Sequence, residues 1–343
     1  MNPAEPLEDL LFPLPIGPSM YPSFNSNDAE TKEASGRRDF IARTLTAGLS
    51  TASLSVGAML GMETDTASAA CQIPMSSAKD DFHVANHRIR QSVMGWCYKP
   101  MEEKTLFEHC AKIGIEAVEG IDSKFYPEAI QKGLKIALVG SHGFATGPTD
   151  RSNHAECIAK LTKGIQLAVE FNAPSVITFT GMRVKDMLDG IAERNCIDCW
   201  KQVIELAESK KITLVLEHLN SRDSSHPMKG HPGYFGDDVD RCFELVKKMD
   251  SPYFKLLFDI YHVQIMNGDI IRRIEKNHAM IGHYHTAGCP GRGEMDDSQE
   301  INYPPILNAI LKTGYKGFVA QEFIPTWKDP VQSLRHGAIV MDV

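Results

Sequence analysis

Four residues in the C-terminal half of this 343-residue chain each close a short apolar run with a group able to bind a cation or move a proton. Glu217 ends I-T-L-V-L-E, Asp259 ends F-K-L-L-F-D, His285 ends G-H-Y-H and Glu322 ends V-A-Q-E. Taken singly, a carboxylate at the end of an apolar run is more often a helix cap or an ion-pair partner. Four in succession are another matter. Three carboxylates and an imidazole drawn to one point repel one another unless a cation holds them. Three oxygen ligands with one nitrogen suit Mn²⁺ or Mg²⁺, with Co²⁺ or Zn²⁺ as alternatives. Glu119, which closes E-A-V-E, and His142, which closes V-G-S-H, are candidates to line the same site and bind substrate hydroxyls. Their blander roles are a salt bridge for Glu119 and a loop cap for His142.

Convergence of these residues requires a fold that brings the ends of consecutive strands together. Continuous apolar runs that end in a polar residue are the mark of parallel strands buried on both faces. Strands are expected near 89–95, 115–121, 134–141, 175–180, 211–217, 254–259, 280–286 and 317–322, with helical patterns near 103–113, 153–171, 187–209, 237–249 and 329–340. Eight strand–helix units in about 255 residues fit one α/β domain, a (β/α)₈ TIM barrel over residues 88–343. Gaps of 42, 26 and 37 residues separate the four candidate ligands, and each fits one such unit. The four then form an arc at the C-terminal mouth, where barrels build their active sites. A doubly wound open sheet is the rival, but no G-x-G-x-x-G turn follows the first strand. The G-x-G of P-G-R-G-E (290–294) lies deep in the chain and reads as a loop.

The segments L-E-H-L-N-S-R, H-P-G-Y-F, F-D-I-Y-H-V-Q, G-H-Y-H-T-A-G-C-P-G-R-G-E, E-I-N-Y-P and Q-E-F-I-P follow one another in that order. In them the chain resembles the hydroxypyruvate isomerases of the xylose-isomerase-like barrel superfamily, which also holds the ketose 3-epimerases. The resemblance covers residues 88–343 and is densest over 214–325. It implies Glu217, Asp259, His285 and Glu322 as metal ligands, with Glu217 and Glu322 also the acid/base pair on opposite sides of the substrate. It further implies substrate contacts from His262 and from Arg292, whose planar guanidinium suits a carboxylate. The reaction implied interconverts hydroxypyruvate and tartronate semialdehyde through an enediolate that a divalent ion stabilises. Returning the proton to the opposite face of its original carbon would instead give ketose 3-epimerisation, the alternative reading.

Some positions depart from the pattern. Many hydroxypyruvate isomerases carry Gln where this chain has His285, whereas the epimerases carry His. E-H-L-N replaces the common E-P-x-N and places His218 beside the site, and S-S-H-P-M-K-G lengthens the loop between Ser221 and Pro232. The metal and proton chemistry is unaffected, while the substrate is left open. Asn220 is expected to orient Glu217, and Tyr303 to order the loop after the seventh strand. Trp96 and Tyr98 fit either a pocket wall or the core.

A formal net charge of −8, with no Lys/Arg run among aromatics, argues against nucleic acid as a partner. It therefore argues against a metal-barrel endonuclease acting on abasic DNA. A non-catalytic sugar-binding barrel would have no use for two opposed glutamates. The eight cysteines form no framework, and Cys196 and Cys199 of C-I-D-C share one face of an expected helix.

Residues 1–69 read as an address: a disordered start, the pair Arg37 and Arg38, a mildly apolar stretch from Ile41 to Met62, and T-A-S-A-A with Ala67 and Ala69 suited to a signal peptidase. This describes a twin-arginine signal and an exported, periplasmic protein, with lipid anchoring through Cys71 as the alternative. Residues 70–87 read as a linker. The expected partners are a small hydroxy-carbonyl or sugar substrate and the twin-arginine export machinery. Whether the chain forms a homo-oligomer is left open.

Overall fold

The computed structural model describes residues 81–343, so the expected signal and Cys71 lie outside the described residues. The apolar runs form β1 (Arg90–Met94), β2 (Ala117–Glu119), β3 (Lys135–Leu138), β4 (Ser175–Thr178), β5 (Thr213–Glu217), β6 (Phe254–Asp259), β7 (Ile281–Thr286) and β8 (Phe318–Gln321). All pair in parallel, in the order β3-β2-β1-β8-β7-β6-β5-β4, and a parallel bridge from Val139 to Val176 brings the two edges together. This is the barrel the sequence implies, with each strand within three residues of its expected bounds.

Helices cover the outside: α1 (Glu103–Ile113), α2 (Tyr126–Gln131), α3 (His154–Glu170), α4 (Asp189–Lys210), α5 (Val239–Met249), α6 (Ile260–Met266), α7 (Ile270–Asn277), α8 (Tyr303–Lys312) and α9 (Pro330–Met341). In α1, Leu106, Phe107, Cys110 and Ile113 recur at helical spacing and are buried. Gly114, at φ +89°, then ends the helix in the left-handed conformation that suits glycine. Cys196 and Cys199 lie on the buried face of α4 as free thiols. The chain is tied to the barrel before β1: Val84 is buried with its N–H on the Ile113 carbonyl, and Ala85 and Asn86 donate to the Asp342 carboxylate. Residues 84–87, expected to be linker, thus belong to the domain. No helix among the described residues is long and apolar enough to cross a membrane.

The barrel interior has two characters. Leu138, Ile177, Val215 and Leu257, from β3 to β6, join Phe179, Leu219 and Tyr234 in one apolar cluster. Across from them, Ser92, Glu119, His283 and His285 are buried and hydrogen-bonded to one another. The β6–β7 ladder skips Gly282, so that Leu256 pairs with Ile281 and Leu257 with His283. A Cβ at Gly282 would lie 2.9 Å from Val215 Cγ1 and 3.0 Å from Lys255 Cβ, so the irregularity needs a residue without a side chain.

Tyr234 locks the top of the apolar half. Its hydroxyl accepts from the Thr180 N–H and donates to the Glu217 carbonyl, both at 2.9 Å, joining the chain after β4 to the end of β5. Tyr234→Phe leaves a buried N–H without its acceptor. It should cost about 1–3 kcal/mol in urea denaturation with no change in secondary structure. A loss below about 0.5 kcal/mol would show that these groups find other partners.

Candidate active site

Glu217, Asp259 and His285 stand at the mouth ends of β5, β6 and β7, and Glu322 follows β8 by one residue. All four are buried, and each offers a ligand atom within 4.8 Å of the others. His285 Nδ1 lies 3.3 Å from Glu217 Oε1 and 2.5 Å from Glu322 Oε2. Asp259 divides its two oxygens. Oδ1 caps α6 by accepting from the Tyr261 and His262 N–H groups, while Oδ2 turns toward the cluster.

The donor set fits a cation. His285 Nε2 donates to Glu119 Oε1 at 2.9 Å, so a cation that displaced the proton from Nδ1 would meet a lone pair there. Nδ1 faces carboxylate oxygens, and His285 Nδ1, Glu217 Oε1 and Glu322 Oε2 have no aligned hydrogen-bond partner among the described residues. Buried acceptors aimed at one another need a positive charge between them. Three oxygens and one imidazole nitrogen suit a divalent ion of the Mn²⁺ or Mg²⁺ type.

The groups perturb one another strongly. Burial, reinforced by Glu322, raises the pKa of Glu217. Burial also lifts Asp259 to about 7, against the pull of Arg292. Glu322 is the exception: burial pushes it up, but Arg292 and His285 outweigh burial and bring it down to about 2. His285 is held well above its ordinary value by Glu322 and Glu119, although burial opposes them.

The remaining candidates take unequal places. Arg292 is buried against the cluster, its Nη2 2.7 Å from Glu322 Oε2 and 3.3 Å from Asp259 Oδ2 and its Nη1 donating to the Met228 carbonyl. It also lies over the Trp96 and Tyr261 rings. Arg292 reaches the cavity, but its two terminal nitrogens serve the protein. His142 lines the cavity as a loop cap, its Nδ1 on the Thr146 carbonyl and its Nε2 on the Thr178 hydroxyl. Glu119 lies not at the mouth but beneath His285, accepting from Ser92, His283 and His285. Burial opposes its ionisation, yet His283 and His285 hold it well below the usual carboxylate range.

His262 sits behind Asp259. Its Nδ1 accepts from the Asn220 N–H at 3.1 Å, so Nε2 carries the proton toward Asp259 Oδ2, 3.5 Å away. Asn220 therefore orients His262 rather than Glu217, and it also holds the loop through the Lys229 carbonyl and the Asp223 N–H. His218 turns away to the Asp237 carbonyl. Tyr303 does order the loop after β7, through both the N–H and the carbonyl of Ala287.

Glu217, Glu322, Arg292 and His142 line a cavity of ≈ 260 Å³, whose wall also includes Trp96, Phe144, Phe179, Leu219, Met228 and His231. Among them, Phe144, Phe179, Leu219, Met228 and His231 carried no individual signal in the sequence. His283 did: it stands two residues before His285 and so shares its face of β7.

The family model described as the xylose isomerase-like TIM barrel matches residues 107–341. The chain belongs to that family. A 2-oxo-tetronate isomerase from Cupriavidus necator is 34 % identical over 119 residues, which are 35 % of this chain and 43 % of that protein. One from Pectobacterium atrosepticum is 25 % identical over 237 residues, covering 65 % of this chain and 86 % of its own. The hydroxypyruvate isomerase of Escherichia coli (strain K12) is 29 % identical over 127 residues, 35 % of this chain and 46 % of that one. Among solved structures, an L-ribulose 3-epimerase superposes with TM-score 0.62 at 15 % identity, over 74 % of this chain and 95 % of that chain. An AP endonuclease of family 2 from Brucella melitensis gives 0.61 at 23 %, over 72 % and 96 %. These two likenesses concern the fold. The chain is an isomerase-type enzyme similar to the hydroxypyruvate and 2-oxo-tetronate isomerases.

The loop that carries Arg292 is pinned by Glu294. Its carboxylate accepts from the Thr326 N–H and hydroxyl (both 2.7 Å), the Trp327 N–H (3.1 Å) and the Ser333 hydroxyl (2.7 Å). Burial pushes its pKa up, but the bonds from Thr326 and Ser333 prevail and lower it. A carboxylate whose folded pKa is depressed stabilises the fold fully above its unfolded value, about 4.3, and that stability is lost as pH falls through the folded value. Glu294→Gln should therefore cost about 1.5–3 kcal/mol at pH 7. The gap to wild type should narrow in denaturation at pH below about 4. A gap independent of pH would rule out the ionised carboxylate as its source.

Proposed function

We propose that the chain is a divalent-metal-dependent isomerase that interconverts hydroxypyruvate and tartronate semialdehyde, or a closely similar small hydroxy-carbonyl acid. One observation carries this reading. Of the four converging residues only Glu217 and Glu322 also line the cavity, while Asp259 and His285 stand behind them. The groups that meet a substrate are thus two carboxylates, placed to exchange protons with it. The cavity volume of ≈ 260 Å³ lies at the small end of ligand sites, which suits a short acid.

A divalent ion held by Glu217, Asp259, His285 and Glu322 would polarise the substrate carbonyl and stabilise negative charge beside it. The protein's residues move the proton. Glu217 makes no ion pair with Arg292, and burial reinforced by Glu322 favours its protonated form, so it is the stronger base of the pair. It takes a proton from C3 of hydroxypyruvate and returns it to C2, while the 3-hydroxyl proton passes to the 2-oxygen. Glu322, kept ionised by Arg292, stays an anion throughout this exchange. A second reading, ketose 3-epimerisation, is favoured by the imidazole of His285 in the ligand set. There Glu322 would deliver a proton to the other face of the carbon that lost one.

The test offers Mn²⁺-loaded protein hydroxypyruvate and a panel of ketoses in D₂O, with NMR as readout. Tartronate semialdehyde should form with deuterium wash-in, and Glu217→Gln should slow it by about 10²–10⁴. Exchange confined to C3 of a ketose would favour the epimerase, and silence toward every substrate would remove both readings. Chelation should lower the melting temperature. Mn²⁺ restored at 100 times its Kd should return ~2.7 kcal/mol of stability. A melting temperature indifferent to both would remove the metal from the scheme.

For location, the sequence alone supports twin-arginine export. Replacing Arg37 and Arg38 together by Lys should leave the chain uncleaved inside the cell, and undiminished periplasmic recovery in fractionation would count against that route.

A further inference from the structure

A polar strut crosses the barrel beneath the ligand cluster. Glu119 ends β2, whereas its partners His283 and His285 are on β7, with β1 and β8 between them in the sheet. Ser92 Oγ donates to Oε2 at 2.7 Å and fixes the carboxylate from one side. His283 and His285 approach Oε1 with their Nε2 atoms at 3.0 and 2.9 Å. All four side chains are at most 1 % exposed. An ionised carboxylate only accepts, so both imidazoles donate to it. A neutral imidazole has one N–H. Once Nε2 has given it to Glu119, Nδ1 of His285 keeps its lone pair, and Nδ1 is the atom that faces Glu217 and Glu322.

We infer that Glu119 is a positioning residue: with Ser92 and His283 it selects the Nε2–H form of His285 and so makes Nδ1 a ligand atom for a divalent cation. This rests on the metal-binding reading proposed above. Without the carboxylate, Nε2 would lose its hydrogen-bond partner among the described residues, and Nδ1 would be free to carry the proton toward the carboxylates instead. A mere cross-brace between β2 and β7 would predict something different, a loss of stability with no change in how the folded protein binds metal.

Isothermal titration of metal-stripped, folded protein with Mn²⁺ separates these outcomes. Glu119→Met, similar in length but unable to accept, should weaken binding 10- to 100-fold, the range seen when a ligand histidine loses its outer partner. Glu119→Gln can turn its amide oxygen to the two imidazoles and its NH₂ to Ser92, and should recover most of the affinity. In ¹⁵N-histidine-labelled wild type loaded with Mg²⁺, His285, assigned by the signal lost in His285→Gln, should show a protonated Nε2 and a bare Nδ1. A Glu119→Met affinity within about threefold of wild type, or a protonated Nδ1, would overturn the inference while leaving the metal site standing. The NMR result decides alone where the Met variant does not fold. Absence of any Mn²⁺ binding by the wild type would overturn both readings.

Discussion

The mutual repulsion of Glu217, Asp259 and Glu322 around one imidazole is the constraint on which the surrounding structure depends. Buried like charges cost several kcal/mol each unless something opposite in sign compensates them. Each neighbour supplies part of that compensation. Two N–H groups of α6 hold one oxygen of Asp259, and Arg292 lies between Asp259 and Glu322. Glu119 accepts from His285 Nε2 and fixes the ring with Nδ1 toward the carboxylates. Glu217, unlike the other two carboxylates, makes no ion pair with Arg292. Burial raises its proton affinity, as it does that of Asp259, and of those two only Glu217 lines the cavity.

Position and adjustment are divided between strands and loops. The four converging groups stand at or one residue beyond strand ends, where the parallel ladder fixes them; Asp259 pairs with His285, and His285 with Ala320. The groups that shape the cavity come largely from the connections, and those connections are tied by single buried polar side chains. Asn220 holds the loop after β5, Tyr303 the start of the loop after β7, and Glu294 the stretch that bears Arg292. Such anchors give loops some of the precision of the scaffold, because each satisfies buried backbone groups that would otherwise be stranded.

The strands and the convergence of Glu217, Asp259, His285 and Glu322 were legible because a parallel barrel strand is buried on both faces and its sequence advertises it. Its polar terminator is then conspicuous. Several helices were not legible. α6 starts with no spacer after β6, and its cap is Asp259, already read as a ligand. In α8, Pro304 and Pro305 look like breakers but occupy the first turn, where a missing N–H costs nothing. The depth of Glu119 was hidden as well. A carboxylate ending a strand is expected at the mouth, yet β2 is a three-residue strand, and Glu119 meets His283 and His285 inside the barrel. Only the pairing across the barrel, separated by more than 160 residues in sequence, reveals that role.

The loop after β5 gains a meaning from the position of Arg292. A substrate carboxylate that sought the terminal nitrogens of this guanidinium would compete with Glu322, Asp259 and the Met228 carbonyl, all in place already. Met228 belongs to S-S-H-P-M-K-G, in the loop after β5. The same residue lines the cavity near Phe144, Phe179 and Leu219. One segment thus does two things: its backbone holds the arginine beside Glu322, and Met228 forms part of the apolar wall. In this barrel Arg292 acts first on the acidity of Glu322. With those nitrogens occupied, the shape of the space left for a small molecule is set by the wall opposite, from Phe144, Phe179, Leu219 and Met228.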